Sequence, residues 1–406
     1  MEWLALLMFV CVCIVLLCGY PVAFSLAGTA LLFAGIAVAT DQLNPIMLKN
    51  AFSRLYGIMQ NPTLIAVPLF VFMGVMLEKS KIAERLLTGM AQLFASSPGG
   101  LAISVVIVGA LLAASTGIVG ATVVTMGLLS LPIMIKSGYS QKLSTGVICA
   151  SGTLGQIIPP SIVLVLLGDV IASANRDAGI NSDPVSVGDL FAGAMLPGVL
   201  LVGLYILYIF IYSRYQPEKA PALTHNLFAN LQQNTSTKET ISSNTVPQNS
   251  VRFDWRALLL PLFLILLVLG SILSGVATPS EAAALGAVGA IILAIIYREF
   301  SWQRLREVVR TTTKTSSMVF MILIGASIFS LVFRAFGGDD AIRELLHSLP
   351  GGIVGAMIVV MLSMFLLGFI LDFCSLLFYH HTSCQFIYHK IVQELNDFTQ
   401  LTSSAF

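Results

Sequence analysis

Long apolar stretches alternate with short polar ones along the 406 residues, and they set the predicted elements. They run over 3–18, 21–39, 62–77, 99–135, 144–168, 194–212, 257–274, 279–296, 315–333 and 353–373. Several approach the roughly 20 residues that a helix needs to cross the hydrocarbon of a bilayer. The stretch at 99–135 is about twice that length, and Ser115, Thr116, Gly117, Gly120, Ala121 and Thr122 interrupt it. Two half-helices meeting at a small-residue tip within the membrane, a re-entrant hairpin, account for both features. The expected fold class is therefore an all-α membrane protein. Only Glu2 precedes the first stretch, and no small-residue cleavage site follows before Gly19 and Pro21, so a spanning helix is expected there and not a cleaved signal.

Composition strengthens this picture. The chain is 57% apolar and 10% charged, whereas about a quarter of the residues of a soluble domain are charged. A formal net charge of +1 leaves no basic excess for a nucleic-acid partner. Cys11, Cys13, Cys18 and Cys149 lie in apolar stretches, where a thiol acts as a small hydrophobe, and no metal or disulfide spacing is present.

The distribution of Lys and Arg predicts orientation. With Lys79, Lys81 and Arg85 placed in the cytoplasm, the hairpin returns to Lys136 and Lys142 on the same side. The next span leads to Asp169, Asp177, Asp183 and Asp189 against the single Arg176, an expected periplasmic loop. Arg214 and Lys219 then fall inside, as do Arg298, Arg304, Arg306, Arg310 and Lys314.

Residues 217–250 are rich in Asn, Gln, Ser, Thr and Pro without apolar periodicity, which marks a solvated linker between two halves. Gly19-Tyr-Pro21 and Gly275 to Pro279 open comparable spans, and Gly99-Gly100 and Gly351-Gly352 recur after a charged segment. The halves start on opposite sides, so they are expected to be inverted repeats. The predicted organisation is a first repeat at 1–212, with scaffold helices, the hairpin at 99–135 and an unwound helix at 144–168. A cytoplasmic polar linker follows at 213–256, then an incomplete second repeat at 257–373 and an aberrant polar tail at 374–406.

The chemistry concentrates in Ser151-Gly-Thr-Leu-Gly-Gln-Ile-Ile-Pro-Pro-Ser161, inside an apolar stretch. Two glycines and paired prolines interrupt a helix and release backbone carbonyls, which are costly in lipid unless they bind something. Together with the tip at 115–122, the break offers carbonyl and hydroxyl oxygens suited to a hard monovalent cation such as sodium, and half-helix N-termini suited to an anion. A proline kink satisfied by neighbouring helices is the plainer reading, and for the break alone the two weigh equally. The hairpin and the repeats shift the balance to an ion site. Among acids in apolar surroundings, Glu281 is expected to satisfy a helix N-terminus. Asp372, at the second expected hairpin tip, is a candidate binding residue. No histidine pairs with a nucleophile, so no enzyme activity is expected.

These segments resemble the large membrane subunit of tripartite ATP-independent periplasmic (TRAP) transporters of the dicarboxylate type. The resemblance rests on Gly19-Tyr-Pro-Val-Ala-Phe24, Ile65-Ala-Val-Pro-Leu-Phe70, Ser115-Thr-Gly-Ile-Val-Gly-Ala-Thr122, Gly152 to Ser161, Val187 to Gly198 and Gly275-Val-Ala-Thr-Pro-Ser-Glu-Ala-Ala-Ala284. It implies an elevator-type symporter in the bacterial inner membrane, coupled to sodium, without ATP and with no cofactor beyond that ion. Its implied partners are a periplasmic binding protein that delivers a small organic acid and a small four-helix membrane subunit. The implied sodium and substrate positions are Ser115, Thr116 and Gly117 with Gly152, Thr153, Gly155 and Pro159. A related transporter needing no binding protein is the alternative, and neighbouring genes would separate the two. After Phe373 the sequence departs from the family pattern, which points to a truncated or frameshifted frame. Such a chain would lack an ion site and half of the cavity, which puts transport by it in question.

Overall fold

The computed structural model describes residues 2–80, 82–94, 96–116, 119–177, 186–222 and 255–348, with residues 355, 358–363, 365 and 366. Among the described residues all regular structure is helical. The helices are α1 (Glu2–Leu17), α2 (Val22–Ala39), α3 (Ile46–Gln60), α4 (Ala66–Lys79), α5 (Ile82–Leu93), α6 (Gly100–Thr116) and α7 (Val119–Lys136). They continue as α8 (Gln141–Thr153), α9 (Ile162–Asp177), α10 (Val187–Tyr215), α11 (Trp255–Leu273), α12 (Pro279–Ile296), α13 (Trp302–Ala335) and α14 (Gly338–His347). Short 3-10 turns occupy Pro62–Ile65, Leu154–Gln156 and Pro217–Lys219. Among the described residues five segments are long and apolar enough to cross a membrane: Val22–Ala39, Pro62–Lys79, Val187–Tyr215, Pro279–Ile296 and Trp302–Ala335.

The chain forms two compact units, one of residues 61–316 and one of residues 1–60 with those from 317 onward. In the second, Ala5 and Met8 of α1, Ala30, Ala34 and Ala37 of α2, and Val332 and Phe336 form one buried cluster. Small side chains let the backbones approach closely. A methyl at Gly325 of α13 would lie 2.5 Å from the Ala23 carbonyl oxygen.

In the unit of residues 61–316, α4 is buried nearly all round, from Ala66 and Val67 through Phe70, Val71 and Met73 to Leu77. A helix apolar on every face requires neighbours on every face. Its closest one is α12, against which Gly286 admits the Met73 thioether, 2.5 Å from where a Cβ would stand. The two run parallel. At their starts Ser280 Oγ donates to the Pro62 carbonyl at 2.7 Å. Beyond their ends Arg85 meets Glu299 at 3.0 Å.

Glu299 also accepts from Arg304 at 3.0 Å, and the Arg85 guanidinium sits 5.3 Å from the centroid of Tyr297. The Arg304 hydrogen bond, seconded by Arg85, holds the Glu299 carboxyl below its usual range against partial burial. A carboxylate with a lowered folded pKa contributes stability above its ordinary value and loses it as pH falls through the lowered one. Glu299→Gln is therefore expected to cost about 0.5–1 kcal/mol at neutral pH, discounted for solvent screening. Below the lowered value that difference disappears, and thermal unfolding in detergent across pH measures it.

The structure corrects several sequence expectations. The stretch expected at 315–333 is the second part of α13, which starts at Trp302. The first residues assigned to the linker, 213–215, end α10, and Ala220 is fully buried. Residues 223–254 lie outside the described residues. Asp169, read as the start of an acidic loop, belongs to α9. Helices α3 and α5 were not expected, because both are amphipathic and carry charge. In α5, Ile82, Leu86, Leu87, Met90 and Ala91 are buried at helical spacing around the charged Arg85, a pattern that a search for spanning lengths passes over. Most of 353–373 and all of the tail at 374–406 lie outside the described residues.

Candidate functional site

The site begins with the pair α6 and α7. Helix α6 is composed largely of small and β-branched residues and is buried along most of its described length. The pair starts and finishes on the same short segment: Gly99 N donates to the Ala220 carbonyl and Ser140 N to the Lys219 carbonyl, both at 3.0 Å. Gly99 is required there, because its φ is +77° and Ser213 occupies the space a side chain would need. Tyr139 closes this base, its hydroxyl accepting from Leu101 N at 3.3 Å. Burial pushes its phenol up to about 12. The far ends of the pair are Thr116 and Val119.

Helix α8 starts at Ser140, whose Oγ accepts from Leu143 N, and stops at Thr153. A 3-10 turn at Leu154–Gln156 follows, and the helical path resumes only at Ile162. Gly152 and Gly155 lower the helix's advantage, and Pro159 and Pro160 supply no N–H. The interval has its own bonding pattern. Ile157 N and Ile158 N both donate to the Leu154 carbonyl at 3.0 Å, and the buried Ser161 Oγ donates to the Gln156 carbonyl at 2.8 Å.

This break is seated on both helices of the pair. Ser151 fills the space beside Gly109 of α6, where a Cβ would stand 2.6 Å from the serine Cβ and 2.8 Å from its Oγ. Gly152 faces α7, where an added Cβ would overlap Val123 Cγ2 and stand 3.2 Å from Val123 Cα. Glycine is what allows the break to approach α7 backbone to backbone.

Each candidate can now be placed. Ser115 and Thr116 are the last residues of α6, while Gly117 and Asp372 lie outside the described residues. Gly152 is buried within α8, Gly155 is buried in the 3-10 turn, and Pro159 is buried in the following bend. Thr153 is exposed and its hydroxyl donates to the Ala150 carbonyl at 2.9 Å, which leaves its lone pairs available. Glu281 forms a capping box, accepting from Thr278 N and Thr278 Oγ1 at 2.8 Å each. This is the helix-end role expected for it.

Two polar pairs escaped the sequence reading. Thr125 of α7 donates to Glu78 Oε1 of α4 at 2.8 Å. Glu78 adjoins Lys79 just past an apolar stretch, so it resembles an ordinary interfacial charge; the available signal was an acid within two residues of a span. Asn61 Nδ2 donates to Asp169 Oδ1 at 2.7 Å while its Oδ1 accepts from Thr63 N. No spacing rule links residues so far apart.

A multi-pass, all-helical integral membrane protein with a broken helix seated on a helical pair is the class that these features define. Residues 9–380 match the family model of the tripartite ATP-independent periplasmic transporter, DctM component, and the chain belongs to that family, one of transporter permeases and not of enzymes. It is 29% identical over 347 residues to the C4-dicarboxylate TRAP transporter large permease protein DctM of Rhodobacter capsulatus, covering 84% of this chain and 72% of that one. Identity is 32% over 294 residues with the protein of the same name from Pseudomonas aeruginosa, covering 71% and 60%. With the isethionate TRAP transporter permease protein DctMQ of Oleidesulfovibrio alaskensis it is 28% over 355 residues, covering 87% and 50%. The chain thus spans less than two thirds of the length of the latter two relatives.

Proposed function

We propose that this chain is the large permease subunit of a sodium-coupled symporter for small organic acids, C4-dicarboxylates or related carboxylates, in the bacterial inner membrane. The observation that carries the reading is the interrupted helix at Thr153–Ile162 packed through Ser151 and Gly152 onto a helix pair whose two ends share the segment 219–220. A pair anchored in this way is suited to enter and leave the membrane on one face as a re-entrant hairpin. Carbonyl and hydroxyl oxygens of Ser115, Thr116, Gly117, Gly152, Thr153 and Gly155 would supply a hard donor set that suits sodium, which is cargo here and not a resident metal. The acid would be met by the N-termini of interrupted helices. Pro159 keeps the break from closing into helix, and Asp372 would serve the equivalent site of the second, inverted half. Movement of the transporting unit as an elevator, a small four-helix membrane subunit and a periplasmic binding protein complete the proposal.

Reconstitution of the chain with the small subunit and the cognate binding protein in liposomes tests it. Uptake of radiolabelled C4-dicarboxylate is expected only with an inward sodium gradient and the binding protein present, and without ATP. Uptake indifferent to sodium would remove the ion from the proposal. Sodium-driven uptake with no binding protein would favour the alternative of a self-sufficient transporter with the same repeat plan.

A further inference from the structure

One charged surface lies outside the transport site, on the first part of α13. Its level in the membrane follows from the helices before it. The starts of α4 and α12 are joined by the contact between Ser280 and Pro62, in the turn before α4, and the Arg85–Glu299 pair lies just beyond both ends, so Lys79 and Ile296 mark one membrane face. Arg304 shares the Glu299 carboxylate at 3.0 Å, which starts α13 at that same face. The next residues, Gln303 to Ser316, hold four basic side chains and several hydroxyls and cannot enter hydrocarbon cheaply. The apolar part of α13 begins only near Ser317. The polar first part therefore runs at headgroup level.

On it, side chains sort by four-residue spacing into two faces. Val308, Thr312 and Ser316 are buried at 0%, 8% and 7% exposure. Trp302, Arg306, Arg310 and Lys314 are all exposed, the tryptophan at 78%. Arg85 and Arg304 are already engaged by Glu299. Among the described residues, Arg306, Arg310 and Lys314 have no ion-pair partner within 4.0 Å. The acid in this stretch, Glu307, borders the stripe three residues before Arg310, about 60° round the helix from it. The stripe thus carries three positive charges against one bordering acid, a net excess of two, with an indole, the side chain favoured at membrane interfaces, at its head.

We infer that Trp302, Arg306, Arg310 and Lys314 form a binding stripe for the phosphate headgroups of anionic phospholipids in the leaflet on that side. Charge complementarity selects the occupant: at headgroup level the abundant anions are lipid phosphates, and arginine pairs with phosphate through two parallel hydrogen bonds. The stripe requires only that the chain be embedded in a membrane, so it stands apart from the transport reading.

The test uses the full chain with Trp302 as its only tryptophan (W3F/W255F) in nanodiscs containing brominated phosphatidylglycerol or brominated phosphatidylcholine at equal fraction. The anionic lipid is expected to quench Trp302 fluorescence at the lower mole fraction. K314Q should reduce that preference about fivefold, R306Q/R310Q/K314Q should abolish it, and R306K/R310K should retain most of it. Circular dichroism checks the fold of each variant, and K314Q alone decides if the triple variant does not fold. Equal quenching by the two lipids, an undiminished preference in the triple variant, or loss of the preference on adding excess inorganic phosphate would overturn the assignment, the last by identifying a soluble anion as the true ligand.

Discussion

Gly152→Val is expected to abolish sodium-dependent uptake while leaving the chain inserted in the membrane at near normal amounts. The reason is local. Any Cβ at 152 overlaps Val123 Cγ2 and stands 3.2 Å from Val123 Cα, and a backbone atom cannot move aside as a flexible side chain can. The break would have to leave α7, and overpacking of this kind costs about 1–3 kcal/mol. Spread over a whole membrane domain this is tolerable; concentrated at a binding site it misplaces donors that must converge on one ion. Gly152→Ala should lower uptake at least tenfold, and adding Val123→Ala should restore part of it by removing the overlapping methyls. Comparing sodium half-saturation with maximal rate separates a displaced ion site from a damaged fold. Equal sodium dependence in the wild type and in Gly152→Ala would remove the ion from this location.

The second large effect is expected on stability. Gly325→Leu should destabilise the protein by about 1–3 kcal/mol, read as a lower thermal midpoint in detergent, because the Ala23 carbonyl oxygen stands 2.5 Å from the position of its Cβ and Ala23 C and Cα stand at 3.2 Å. Gly28 of the same helix α2 is the control. Nothing lies within 4 Å of its Cβ position, so Gly28→Ala should be neutral or slightly stabilising through helix propensity, worth up to about 1 kcal/mol. A similar loss in both variants would mean that the α2–α13 approach is looser than described.

What could be read from the sequence follows from what each pattern encodes. Val22–Ala39 and Pro279–Ile296 were legible because each is 18 residues without a charge except the capping Glu281. The break at 151–161 was legible because glycine and proline act on their own backbone, so no partner needs to be known. Helix α3 was not, since Phe52, Tyr56 and Met59 share its exposed face with Lys49 between polar neighbours. Asp169 was misplaced because its neighbours in sequence, Asp177, Asp183 and Asp189, suggest a loop, whereas its partner Asn61 lies 108 residues away. The seat of Gly152 on Val123 is likewise a property of packing. Composition can say that a glycine permits close approach, but only the fold says to what.

The two halves also match in a way that composition alone does not disclose. Helices α2 and α12 are equally long. Ile46–Lys79, interrupted at Asn61 and Pro62, is as long as the continuous 34-residue α13. The borders between the compact units, after Gln60 and after Ser316, fall at corresponding points of these two segments. Each unit thus takes its opening helices from one half and its later ones from the other.

That exchange bears on biosynthesis. The side chains of Ala5, Met8 and Ala30 pack with Val332 and Phe336, which leave the ribosome only after roughly 300 further residues, a delay on the order of fifteen to sixty seconds at typical elongation rates. Throughout it α1 and α2 have each other and Leu43 from this cluster, but not its later members. A ribosome stalled or released anywhere before that point would leave α1 and α2 without Val332 and Phe336 to complete their shared packing.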